Sequence, residues 1–144
     1  MKKQSGFTLI EVMIVVVIIG ILAGFAVPNY LENVKQAKRT DAQAALVQFS
    51  QGMERYYSAN YTYLDAAVGG DDTGAPAAAT FGNTQSPFDG DASYNLTISA
   101  VTATSYTLSA TPTGGMTGDA CGILTLTNTN VKGDGSGGTI NCWR

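Results

Sequence analysis

Residues 6–27 read GFTLIEVMIVVVIIGILAGFAV, and from Phe7 onward Glu11 is the only charged side chain in the run. As a helix rising about 1.5 Å per residue, residues 7–27 reach roughly 31 Å, enough to cross the ~30 Å hydrocarbon core of a bilayer. A secretory signal peptide is the competing reading: Lys2 and Lys3 form a basic start, and Gly24-Phe25-Ala26 has the small-x-small form of a cleavage site. That reading releases a soluble binding domain after Ala26. It must accommodate a carboxylate inside the apolar core and a run longer than signal peptides carry. A helix buried in a soluble core fits less well, because the rest of a 144-residue chain is too short to cover it on all sides.

Working outward, the flanking charges disagree about orientation. Lys2 and Lys3 favour a cytoplasmic N-terminus, whereas Lys35, Lys38 and Arg39 beyond the other end favour the reverse. The two cysteines, Cys121 and Cys142, are an even pair in a small domain and point to an oxidising compartment. The C-terminal part is therefore expected outside the cytoplasm. A disulfide between them would contribute roughly 3 kcal/mol in the chain-entropy account, the alternative being two buried thiols.

After the apolar run the pattern becomes amphipathic. Ala42, Leu46, Phe49, Met53 and Tyr56 recur in steps of four and three, one helical stripe. Glu32, Lys35, Gln36, Arg39, Gln43, Gln48 and Glu54 fall mainly off it. No turn cluster separates the two segments, so the spacing predicts one helix of about 50 residues. Pro28 is expected to kink it by removing a backbone donor, and Gly20 and Gly24 to loosen it. Residues 58–91 read as a long connection, with Tyr56-Tyr57 and Tyr61-x-Tyr63 packing at its start. Three alternating runs follow: Tyr94, Leu96, Ile98 and Ala100; Tyr106, Leu108 and Ala110; Leu124 and Leu126. A short edge strand is expected over residues 139–143, after a loop at 133–138. The fold class is thus α+β, a long kinked N-terminal helix on an antiparallel sheet of about four strands.

Charge and composition narrow the function. Only 13% of residues are charged, the net charge is -3, and histidine is absent. Without histidine there is no Ser-His or Cys-His nucleophile pair and no His-based metal site. No convergent set of titratable residues suggests an enzyme, and no cofactor is expected. Beyond Thr40, nine acids face three bases, so the C-terminal head is acidic.

Glu11 is the position with most to explain. A carboxylate within a membrane span costs on the order of 3 kcal/mol. Opposite charges ~4 Å apart gain roughly 4 kcal/mol at an effective dielectric near 20. A new N-terminal amine, created by a cut after Gly6, would supply such a partner. Thr8-Leu9-Ile10-Glu11 also fits the S/T-x-x-E capping box, in which Glu11 serves a free backbone donor instead.

Gly6-Phe7-Thr8-Leu9-Ile10-Glu11-Val12, after a short basic leader and before an unbroken apolar stretch, resembles the processing site of type IV pilins and related pseudopilins. The resemblance is close over residues 1–60 and extends beyond them in architecture only. It implies a division into a leader (1–6), a transmembrane or filament-core half-helix (7–28), an amphipathic half-helix (29–57) and a globular head (58–144). It implies that a prepilin peptidase cuts between Gly6 and Phe7 and methylates the Phe7 amine. Glu11 would then neutralise the amine of a neighbouring subunit, and Gly20 and Pro28 match positions bracketing a helix segment that can lose its regular hydrogen bonding. The implied partners are other pilin subunits, the peptidase and the inner-membrane assembly machinery. The implied location is the bacterial inner membrane as a single-pass prepilin, then an extracellular pilus.

Finer distinctions rest on the C-terminal half. A disulfide between Cys121 and Cys142 favours a pilin over the major pseudopilin of type II secretion, which often binds calcium. Residues 53–63, with Asp119-Ala120-Cys121-Gly122 and Cys142-Trp143, resemble a minor-pilin group, with motility, adhesion or DNA uptake as its possible settings. Asp71-Asp72 and Asp89-Gly90-Asp91 lack EF-hand spacing and read as turn acids, so no metal is assigned. Lys35, Lys38 and Arg39 could meet DNA, but three bases on a helix read first as a solvated face or a headgroup anchor. Asn60-Tyr61-Thr62 and Asn95-Leu96-Thr97 match the glycosylation pattern, whose use depends on the secretory system.

Overall fold

The computed structural model describes residues 6–138 and 140–143. The chain divides into two compact units at Val34 and Lys35. One helix, α1 (Leu9–Asn60), runs through both.

In the first unit α1 is apolar all round from Val12 to Val27. Its large hydrophobic side chains from Leu9 to Val27 are between 49% and 78% exposed. Helix runs unbroken through Gly20 and Pro28. Pro28 has no N–H to offer the carbonyl of Gly24, four residues back, so the ladder lacks one bond there.

The second unit is the head. Here α1 buries the expected stripe: Ala42, Leu46, Phe49 and Met53 are fully out of solvent, and Tyr56 packs at the margin of the core. Facing it is one antiparallel meander of five strands, β1 (Gln85–Ser86), β2 (Tyr94–Val101), β3 (Tyr106–Pro112), β4 (Leu124–Thr127) and β5 (Lys132–Gly133), in sequential order. Leu96 pairs with Ala110, Ile98 with Leu108, and Leu108 with Leu126, so the apolar alternates of three strands share the face that lies in the core.

The sheet departs from the expected pattern in three places. A register shift between Ile98 and Ala100 reverses the alternation, so Ala100 is exposed instead of continuing the Tyr94–Leu96–Ile98 face. The strand expected at 139–143 is absent over the described residues 140–143, and Thr139 lies outside them. The edge strand is β5, where Lys132 pairs with Leu126 and Gly133 with Thr125. A Cβ at Gly133 would strike the Thr125 hydroxyl, so a side chain there requires the threonine to turn away. Residues 142–143 are engaged elsewhere: the Cys142 carbonyl accepts from Gln43, and the Trp143 indole donates to Gly133 O at 2.8 Å.

The helix ends at Asn60, three residues past the expected end, with Tyr61 at φ 58° and its N–H bonded to Tyr57 O. Tyr61 is 81% exposed and does not pack as expected, whereas Tyr63 is buried between Tyr57 and Tyr106, with ring centroids 4.6 and 4.8 Å away. The long connection folds back over α1: Phe81 stacks on Phe49 at 5.0 Å, and the Thr80 hydroxyl donates to Ala66 O.

Candidate functional site

The N-terminal segment belongs to the first unit. Thr8 precedes the first helical residue, and its hydroxyl accepts the backbone N–H of Glu11 at 3.3 Å. That is the N-cap half of a capping box. Among the described residues the reciprocal half is not formed, since no hydrogen bond from a backbone donor reaches the Glu11 carboxylate. Glu11 lies in the first helical turn, where the positive end of the helix favours a negative charge. Glu11 is exposed and lines a shallow groove with Phe7, Val12, Val15 and Val16. Phe7 is 84% exposed, and Gly6 before it is exposed with open space around it. Both residues precede α1, which starts at Leu9. Lys2 and Lys3 lie outside the described residues.

This helix is long and apolar enough to cross a membrane. Its exposed apolar surface is unsuited to water but suited to lipid or to other helices, because its backbone groups outside the ends, the Gly24 carbonyl opposite Pro28 excepted, are satisfied internally.

The C-terminal cysteines belong to the second unit. Cys121 and Cys142 form a disulfide with Cα atoms 5.7 Å apart, and both residues are buried. α1 reaches both cysteine-bearing segments. The Arg39 guanidinium donates through Nε to Asp119 Oδ2 at 2.9 Å and through Nη2 to Oδ1 at 2.5 Å. Asp119 also accepts from the Cys121 N–H at 3.3 Å and the Tyr94 hydroxyl at 3.5 Å. Burial raises the carboxyl's proton affinity, but the Arg39 hydrogen bonds and charge, the Cys121 N–H and the charge of Lys35 outweigh it and hold Asp119 below the ordinary carboxylate value. One turn further along α1, Gln43 Nε2 donates to the Cys142 carbonyl at 2.6 Å.

Two residues expected on the solvated face, Arg39 and Gln43, are thus buried. The stripe itself carried the signal: Arg39 stands three residues before Ala42 and seven before Leu46, on the same face of the helix. The basic cluster expected at 35, 38 and 39 therefore loses Arg39 to an ion pair. Of the acids expected in turns, Asp72 does hold one, accepting the Asp65 N–H at 3.1 Å.

Similarity to known proteins follows the same division. Residues 1–27 match the prokaryotic N-terminal methylation motif. Residues 28–125 match a family described as "Type IV minor pilin ComP, DNA uptake sequence receptor". Over 63 residues, 44% of this chain and 43% of the relative, the sequence is 48% identical to type II secretion system core protein G of Vibrio cholerae. Over 65 residues, 45% of this chain and 30% of the relative, it is 40% identical to the type IV major pilin protein PilA of Myxococcus xanthus. The matches thus span less than half the length of these relatives. The crystal structure of the non-core minor pilin PilV of Neisseria meningitidis superposes with a TM-score of 0.50 at 21% identity, covering 76% of this chain and 94% of that one, a likeness of fold. The long helix, the meander and the two matched segments agree, and the chain belongs to the type IV minor pilin family.

Proposed function

We propose that the chain is a structural subunit of a type IV pilus, held in the bacterial inner membrane as a single-pass prepilin with its head outside the cytoplasm. A peptidase cuts between Gly6 and Phe7 and methylates the new amine. The subunit then assembles with other pilins through residues 7–28, while residues 29–57 carry the head, and it has no catalytic reaction of its own. The observation that carries this reading is the Glu11 carboxylate, without a side-chain partner among the described residues at the start of an all-round apolar helix. A methylated amine on a neighbour would offset the cost of placing it there, roughly 4 kcal/mol against about 3. Gly20 and Pro28 would let the helix adjust during assembly. Intact mass and N-terminal sequencing of the protein from its membrane test this: a start at Phe7 carrying one methyl group is expected, and a start at Val27 overturns it.

A type II secretion pseudopilin is the second reading, supported by the Vibrio cholerae relative. Deletion separates the two, since loss of pili with secretion intact favours the pilus. The family description also raises DNA uptake. Against a receptor role stand the nine acids and three bases beyond Thr40 and the commitment of Arg39 to Asp119. Among the described residues, Lys35, Lys38, Arg55 and Lys132 would have to supply any phosphate contacts. Mobility-shift titration of the detergent-solubilised protein on duplexes of different sequence, with and without added salt, decides this: a shift that prefers one sequence is the mark of a receptor, and a salt-sensitive shift on every duplex is backbone charge alone.

A further inference from the structure

Between β4 and Cys142 the chain has little apolar instruction about where to dock. Val131 is 61% exposed and Ile140 44%, and Gly133, Gly135, Gly137 and Gly138 fill much of the interval. Yet Cys142 is 1% exposed, seated against α1. Apolar burial at this end comes from Cys142 itself and from Trp143, half-buried against the core, and packing of that non-directional kind does not select the turn of α1 at which the segment docks.

What reaches it is polar and comes from α1. Arg39 holds Asp119, two residues before Cys121, and Gln43 holds the carbonyl of Cys142 itself. The two donors are four residues apart, about 6 Å along the helix axis and on one face. Both are buried, Arg39 to 5% and Gln43 to 6% exposed. A buried ion pair is commonly no more stabilising than well-packed apolar residues of the same size, and a buried amide costs free energy unless bonded. What a directional pair supplies, and apolar packing does not, is the choice of which segment docks at which turn.

We propose that Arg39 and Gln43 act as a two-point clamp that positions the Cys121 and Cys142 segments on α1 and so raises the effective concentration of the two thiols for each other. They are positioning residues for disulfide closure. With a small-molecule disulfide as oxidant, one cysteine thiolate attacks it and expels a thiolate. The second cysteine thiolate then attacks the mixed disulfide and expels the other. Two electrons pass from the cysteines to the oxidant, and the two protons go to the released thiolates. By linkage, whatever the clamp contributes to closure, closure returns to the clamp. The clamp acts within the head and is independent of what the apolar helix assembles with.

The test uses the full-length protein in detergent, equilibrated in glutathione redox buffers, with free thiols trapped and counted by mass. Because closure releases two reduced glutathiones for each oxidised one consumed, the square of the reduced concentration divided by the oxidised concentration at half-closure gives the effective concentration. Arg39→Gln is expected to lower it at least tenfold and Gln43→Ala at least fivefold, with Arg39→Lys intermediate because it keeps the charge but loses the fork. Gln48→Ala, exposed and outside the clamp, is expected to leave it unchanged. Circular dichroism of the closed form monitors the sheet. Wild-type values for Arg39→Gln and Gln43→Ala in a folded head overturn the clamp. If Arg39→Gln does not fold, a wild-type value for Gln43→Ala overturns it alone.

Discussion

Gly52 of α1 stands against the backbone carbonyl of Thr80, so close that a methyl group at position 52 would overlap the oxygen. The contact seats the long connection on the helix one turn past Phe49, where Phe81 stacks. Gly52→Ala gains up to about 1 kcal/mol of helix propensity. Overpacking against backbone costs about 1–3 kcal/mol. The connection cannot yield easily, because Thr80 is tied to Ala66 through its hydroxyl and to Ala77 through its N–H. A net loss of about 1–2 kcal/mol is expected in urea unfolding, and a raised midpoint would show that the loop moves aside.

Asp119→Asn keeps the shape of the Arg39 partner and removes its charge. Breaking an ion pair whose Arg39 side chain is 7% exposed should cost about 3 kcal/mol. The wild-type carboxyl is depressed in the folded state. Its contribution is therefore full above the ordinary carboxylate range and lost as pH falls through the depressed value. Chemical unfolding at a series of acidic pH values should show this loss in the wild type and a flatter dependence in Asp119→Asn.

Glu54 accepts hydrogen bonds from two tyrosines, Tyr63 at 3.0 and 3.1 Å and Tyr106 at 3.0 Å. Burial first, then the Glu54 hydrogen bond and charge, push the Tyr63 phenol up to about 12, and the same causes raise Tyr106. These phenols stay protonated in the fold at a pH where the unfolded chain ionises. Their stabilisation is complete below pH ~10 and is lost as pH rises through the folded values. Glu54→Gln should lower the Tyr63 value while leaving it above the ordinary one, since burial persists. Tyrosinate absorbance during alkaline titration reads the change, and an unaltered Tyr63 transition would contradict it.

Glu11→Gln separates charge from capping. The Thr8 cap uses the backbone N–H of residue 11, which glutamine keeps, so the helix start and the amount of membrane-held protein should be unchanged. Thr8→Ala, by contrast, should loosen the first turn by about 1 kcal/mol. Surface pilus yield is expected to fall at least tenfold in Glu11→Gln. Normal piliation would leave Glu11 a purely local role.

Much of the fold was legible because it is written in short periods. The membrane-length run, the stripe from Ala42 to Met53 and the alternation in β2, β3 and β4 each need only neighbours within a few positions. Where the reading failed, the cause was an interruption of period or a partner far along the chain. The register shift after Ile98 turned Ala100 outward. β5 carries too few residues to alternate, and Arg39, charged and so expected in solvent, lies inside because of its place on the stripe.

The sequence by itself determined the N-terminal element, its apolar length, the Gly6-Phe7 junction and the lone carboxylate at Glu11, because each is a property of adjacent residues and of helical geometry. Tertiary structure alone decided which of the nine acids beyond Thr40 meets Arg39, which carbonyl Gln43 takes, and where the glycine-rich end comes to rest. Arg39 and Asp119 are 80 positions apart. Their pairing follows from the path of the chain through the sheet, where burial strengthens one charged contact and leaves the exposed ones weak.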